Sequence, residues 1–248
     1  MGTVTRRDFI EVCAATVATA ALSEPQPKPT RVCVCLAESG FSTRQDGVCF
    51  VVGCLVSSDP AKHRAGLIAL KKATKFERGE FKFGGASRHK MLYASAMMRY
   101  FAREPELRFA ARIVQNVARP LAYQKVAGEY ERVVLDARIP SDALVRLRKR
   151  PTRGPESGGY RLGNSHESAR LRIARNAIKD VATVPRSAKD PLLELASALT
   201  GSLFTAVAPG GPSTALKASI ETRLRTLLAV ESLRSVKDGK WEPRTPTA

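Results

Sequence analysis

The chain has 248 residues, 44% of them hydrophobic and 26% charged. That is enough apolar material to bury a core in one large α/β domain or two small ones, and it excludes an intrinsically disordered chain. Lysine and arginine number 41 against 23 acidic residues, a net charge of +18. So large an excess repels itself, and three readings account for it: a nucleic-acid partner first, an anionic lipid surface second, or plain genomic bias toward arginine.

In chain order, Thr5-Arg6-Arg7-Asp8-Phe9-Ile10 resembles the bacterial twin-arginine export signal. An Ala-rich stretch from Val12 to Leu22 comes next, with a small-x-small cleavage site at Ala18-Thr19-Ala20 and then a proline-rich break. Glu11 stands where such signals carry a basic residue. The other readings are an amphipathic helix or a mis-assigned start codon. Losing Arg6, Arg7, Asp8 and Glu11 leaves the net charge unchanged, so the basic character belongs to the rest of the chain. No apolar run approaches the roughly 20 residues a membrane-spanning helix needs.

Arg31–Leu36 alternates and reads as a strand; Gly40–Gly47 reads as a polar turn. Val48–Ser57, "VCFVVGCLVS", is apolar on both faces and therefore central, and the short connection makes it antiparallel to the first strand. Asp59-Pro60 opens a helix, with the acid as cap and the proline in the first turn. Gly79–Gly85 is a short extended piece. Ser87–Arg103 has helical apolar spacing, and Leu107–Val114 is a third strand. Pro120–Ala127 reads as a short helix, Arg132–Leu135 as a strand ending on Asp136, and Ser141 as the cap of a basic helix, "DALVRLRKR". Pro151–Gly163 is a loop by composition. Asn164 caps a helix with Glu167 in the capping-box position. Val181–Val184 is a brief strand. Asp190-Pro191 starts the apolar helix "LLELASALTGSLFTAV", and Ala215–Leu233 is a last amphipathic helix. The expected organisation is a signal-like or disordered segment over 1–30, an α/β domain over 31–207, a C-terminal helix within 208–236 and a disordered tail over 237–248. Within the domain, strands alternating with helices around central β runs predict a mixed sheet with helices on its faces.

Between Leu144 and Arg186 eleven basic residues face three acids, which makes this stretch the candidate electrostatic footprint. Its contact residues would be Arg146, Arg148, Lys149, Arg150, Arg170, Arg172 and Arg175, with Lys82 from the extended piece. Of the five cysteines, Cys33, Cys35, Cys49 and Cys54 fall inside Val-rich strands. Zinc ligands favour turns, so these read as small buried hydrophobes. Ala208–Lys217, "APGGPSTALK", lacks phosphate-loop spacing and reads as a linker with Ser213 as helix cap. His63, His89 and His166 are isolated along the chain.

The acids pose the sharper question. Glu38 ends the first strand, Glu80 lies in the extended piece, Asp136 ends another strand by this reading, and Glu194 lies in the late apolar helix. Carboxylates so placed can meet over one end of a sheet and hold two magnesium ions, which activate water and stabilise the leaving oxygen of a phosphodiester. The motifs Ala37-Glu38-Ser39-Gly40, Phe50-Val51-Val52-Gly53, Glu80-Phe81-Lys82, Asp136 and Leu193–Gly201 come in the order of the domain-of-unknown-function family 3800. The chain resembles that ribonuclease H-like family over roughly Arg31 to Val207. The resemblance implies a ribonuclease H-like fold, catalytic carboxylates at Glu38, Glu80, Asp136 and Glu194, and metal at Glu38, Glu80 and Asp136.

Two departures matter. Ala37 stands where the family has its first Asp, and Ser197 where the closing helix has its Asp. Alanine cannot coordinate, and a serine hydroxyl is a poor substitute for a carboxylate. The expectation is therefore a nucleic-acid-binding ribonuclease H-like protein whose nuclease site has decayed. The alternatives are a working nuclease or phosphodiesterase using magnesium or manganese, and an exported basic envelope protein. The body of the chain argues for the cytoplasm, the leader for twin-arginine export. Lone acids at strand ends are ordinarily paired with a nearby Arg; Arg132 and Arg138 flank Asp136, and Asp190 is accounted for as a helix cap.

Overall fold

The computed structural model describes residues 31–44, 47–77, 80–81, 87–149, 158–176, 178–185, 188–208 and 215–245. The export-like leader, Lys82 and Arg150 therefore lie outside the described residues.

Six strands form one sheet: β1 (Cys33–Arg44), β2 (Gly47–Ser57), β3 (Leu107–Val117), β4 (Leu144–Arg148), β5 (Asp180–Val184) and β6 (Trp241–Arg244). Their order is β5-β4-β1-β2-β3-β6. β1 pairs antiparallel with β2, and β2 with β3, while β4, β5 and β6 join as parallel strands. Only β2 thus runs against the others. The expected mixed sheet flanked by helices is the architecture found.

Among the described residues six helices cover it: α1 (Pro60–Ala73), α2 (Arg88–Arg103), α3 (Arg119–Asp136), α4 (Gly158–Arg175), α5 (Pro191–Val207) and α6 (Ala215–Leu228). Strand alternation divides the core between the two faces. Cys33, Cys35, Ala37, Val51 and Leu55 pack under α2, α5 and α6. Val34, Leu36, Phe50, Val52 and Cys54 pack under α3 and α4. The four described cysteines are free and buried.

The capping signals are seen in place. Asp59 accepts from the Lys62 N–H at 3.0 Å and Asp190 from the Leu192 N–H at 3.0 Å, each followed by its proline. Helix α5 is apolar almost all round because it is covered on the sheet side and by α1 and α6 on the other. It lies so close to β2 that a Cβ on Gly53 would overlap Thr200 Oγ1 and come 2.7 Å from the Phe109 ring.

Several expectations change. Residues 40–44 continue β1 rather than forming a polar turn, and residues 158–163 belong to α4 rather than to a loop. Leu144–Arg148 is a strand, not part of a basic helix. Its period is two: Val145 and Leu147 are buried on one face, and Arg146 and Arg148 point to the other. Arg132–Leu135 is the last turn of α3, so Asp136 closes a helix rather than a strand. The spacing Ala122, Val126, Tyr130, Val133, Ala137 is helical and fully buried, and it overrides the β preference of Val133-Val134. Asn164 lies inside α4, which starts at Gly158, so it is not a cap. Finally, the expected tail returns to the sheet as β6 alongside Phe109–Arg112. No helix among the described residues is long and apolar enough to cross a membrane.

Candidate functional site

Ala37 and Glu38 are neighbours in β1 and therefore face opposite ways. Ala37 sits in the core under α5. Glu38 points to the α3–α4 side, where its Oε2 accepts from the Tyr130 hydroxyl at 2.5 Å and lies 3.1 Å from His166 Nε2. The other imidazole nitrogen, Nδ1, is 2.9 Å from the Arg148 carbonyl oxygen. A carbonyl only accepts, so Nδ1 carries a proton. Nε2 also lies 3.3 Å from the Tyr130 hydroxyl, so phenol, imidazole and carboxylate form one contiguous polar cluster. Tyr130 and His166 are buried.

Under α5 the arrangement differs. Glu194 is 1% exposed, and Lys71 Nζ lies 2.7 Å from its Oε1. The Tyr93 hydroxyl reaches Oε2 at 3.5 Å. Burial pushes the Glu194 carboxyl above its ordinary range, while Lys71 and the Phe81 backbone N–H pull it back. The charge of Glu80 also raises it, so these two acids are close enough to sense each other. Glu80 is paired in turn with Arg148, at 2.8 Å. The Nη1 of Arg148 is buried without a hydrogen-bond partner among the described residues. Ser197 donates its hydroxyl to the Leu193 carbonyl at 2.8 Å, within its own helix.

Asp136 belongs to neither group. It pairs with Arg112 at 2.7 Å and with Arg244 at 3.9 Å, beside Glu129, which is also held by Arg112. Arg112 is registered opposite Val52, and Val52 opposite Glu38. Two strand spacings, roughly 10 Å, therefore separate the backbones that carry the two groups.

The structure does not bring together Glu38, Glu80 and Asp136, the acids expected to share metal. Among the described residues these acids do not bring ligand atoms within 4.8 Å of one another. The physical reasons are the alternation of β1, which sends Glu38 through to the far face, and the helical geometry of α3, which carries Asp136 toward β3. Glu80 and Glu194 do share a region. As a donor set for two hard divalent ions they fall short, since protein cations already sit on both carboxylates.

The expected phosphate contacts are distributed as follows. Arg146 pairs with Asp180, Arg148 with Glu80, Arg170 with Glu167 and Arg172 with Glu131. Lys149 and Arg175 are exposed and form no ion pair among the described residues. A groove of about 590 Å³ opens beside Lys71, between α1 and the start of α5. It sets Arg64, Lys71, Lys72 and Lys189 against Glu77 and Asp190. That cationic channel was not anticipated from the sequence, because its residues lie over a hundred positions apart.

Tyr130 and His166 were also missed as partners of Glu38. Tyr130 reads as one more apolar position of a helix, and His166 as an isolated histidine. Comparison with protein-family models, with curated proteins and with solved structures finds no match to the chain.

Proposed function

We propose that the chain is a catalytically silent ribonuclease H-like domain that binds nucleic acid. The observation that carries the silence is the ammonium of Lys71 and the guanidinium of Arg148, 2.7 Å and 2.8 Å from Glu194 and Glu80. The positive charge that metal ions would supply there comes from the protein itself. Support for the fold comes from the order β3-β2-β1-β4-β5 with β2 alone reversed, and from helices after β3, between β4 and β5, and after β5. It agrees with the mixed sheet flanked by helices that the resemblance to a ribonuclease H-like family leads one to expect.

Support for the ligand is electrostatic. The net charge is +18, and the groove that holds Lys72 and Lys189, with Glu77 and the Arg64–Asp190 ion pair, adjoins the neutralised carboxylates. Phosphates would track this groove and the exposed Lys149 and Arg175. On this reading the protein works in the cytoplasm, and a fusion of residues 1–30 to a folded reporter that is exported would overturn that part.

The test is a gel shift with single- and double-stranded oligonucleotides over a salt series, with magnesium or manganese present. Log affinity should fall linearly with log salt, and the nucleic acid should remain intact. Salt-independent failure to bind ends the binding half of the proposal. Metal-dependent cleavage that disappears in Glu80→Gln ends the silent half.

A further inference from the structure

We propose that His63, Glu104 and Glu106 form a binding site for one first-row divalent transition metal, zinc being the reference ion, at the junction of α1, α2 and β3. The three side chains offer one imidazole nitrogen and two carboxylate oxygens, all within 4.8 Å of one another. They stand apart from the Glu80–Glu194 region and do not depend on its chemistry.

The position of His63 points to a ligand. It is fully buried, yet its Nε2 has no hydrogen-bond partner among the described residues. The nearest acid oxygen, Glu106 Oε2, is 3.5 Å away. A buried polar atom left so is unfavourable unless something completes it. The ring is not free to turn away, because Nδ1 is 2.9 Å from the Tyr100 hydroxyl and the two rings meet edge to face at 5.8 Å. Tyr100 reaches that position because residue 66 is glycine: a Cβ there would lie 2.6 Å from the Tyr100 oxygen. Ligating histidines are ordinarily oriented in this way through the second ring nitrogen.

The carboxylates are equally placed. Glu104 ends α2, and Glu106 precedes β3 in a turn closed by Leu107 N–H to Glu104 O at 3.2 Å and Ser58 N–H to Glu106 O at 3.3 Å. Lys62 now bridges them, with Nζ 2.9 Å from Glu104 and 2.7 Å from Glu106. Its side chain is 45% exposed, so it can leave into water on a flexible stem. An ammonium satisfies both carboxylates but leaves Nε2 bare; a metal ion would satisfy all three. Mixed nitrogen and oxygen donors suit zinc, cobalt or nickel better than magnesium or calcium, which favour oxygen alone. Three protein ligands leave a fourth position for water on the exposed Glu106 side.

The test is calorimetric titration of zinc chloride into the full chain, with a cobalt spectrum to identify the donors. One equivalent should bind and raise the melting temperature. Glu106→Gln, at an exposed position, should weaken binding by at least about tenfold, and Lys62→Gln should tighten it by removing the competing cation. Cobalt should show no thiolate charge-transfer band, which separates this site from the four buried cysteines. Absence of one-to-one binding in both the wild type and Lys62→Gln overturns the proposal. So does binding that Glu106→Gln leaves unchanged, or a thiolate band.

Discussion

Under α5, Glu80 and Glu194 meet a guanidinium and an ammonium. Across the sheet, Glu38 meets a phenol and an imidazole. A single residue in β1 separates the two situations, since Ala37 faces one environment and Glu38 the other. Whether an acid can join a cluster at a sheet rim is decided by the parity of its position, not by its distance along the strand.

The largest effect should come from removing one member of the buried pair under α5. Lys71→Met leaves Glu194 in the core without its ammonium and should cost about 3–5 kcal/mol at neutral pH. Burial already holds the Glu194 carboxyl above its usual 4.5, and losing Lys71 moves it further up. A carboxyl raised in the folded state contributes stability fully below its unfolded value and loses that contribution as pH rises through the folded value. The deficit of Lys71→Met should therefore be smallest in urea melts below 4.5 and grow toward neutrality. The double variant Lys71→Met, Glu194→Leu should recover most of the loss.

On the other face, His166→Ala strips a partner from both Glu38 and the Arg148 carbonyl and should cost about 2–4 kcal/mol. Tyr130→Phe removes only the hydroxyl and should cost about 1–2 kcal/mol by the same measurement. If the two variants were equal, the imidazole would be no more than packing.

Gly53→Ala tests the layer between the faces. Thr200 is tied to the Ala196 carbonyl at 2.7 Å and Phe109 is stacked on Trp241, so neither yields easily to a new Cβ. The expected loss is about 1–3 kcal/mol. Smallest of all, Arg175→Ala should change stability by less than about 0.5 kcal/mol while lowering the salt dependence of nucleic-acid binding by about one unit of slope.

Much of the fold was legible in the chain because its signals are local. Asp59-Pro60 and Asp190-Pro191 announce helices, and "VCFVVGCLVS" announces a strand buried on both faces. Leu144–Arg148 and Arg132–Leu135 misled because a few residues carry little periodic information. Two valines look like a strand until the buried positions on either side are counted, and two arginines look like a helix surface until Asp180 and Glu80 are seen opposite them. The site was less legible still. Glu80 and Glu194 could be named from the resemblance, but nothing local says that Lys71 and Arg148 lie against them. Glu38 is not brought to Glu80, since Ala37 and Glu38 face opposite sides of β1 and local sequence gives no sign of which side the other acids occupy.

The last strand has one further consequence. Trp241 is the only tryptophan of the chain, fully buried and stacked on Phe109 at 4.7 Å, with its indole N–H donating to the Leu233 carbonyl at 2.9 Å. The molecule therefore carries a built-in fluorophore at the seam where its final segment docks. Its emission should shift to the red when β6 detaches, giving an optical signal for local opening of that edge apart from global unfolding followed by circular dichroism.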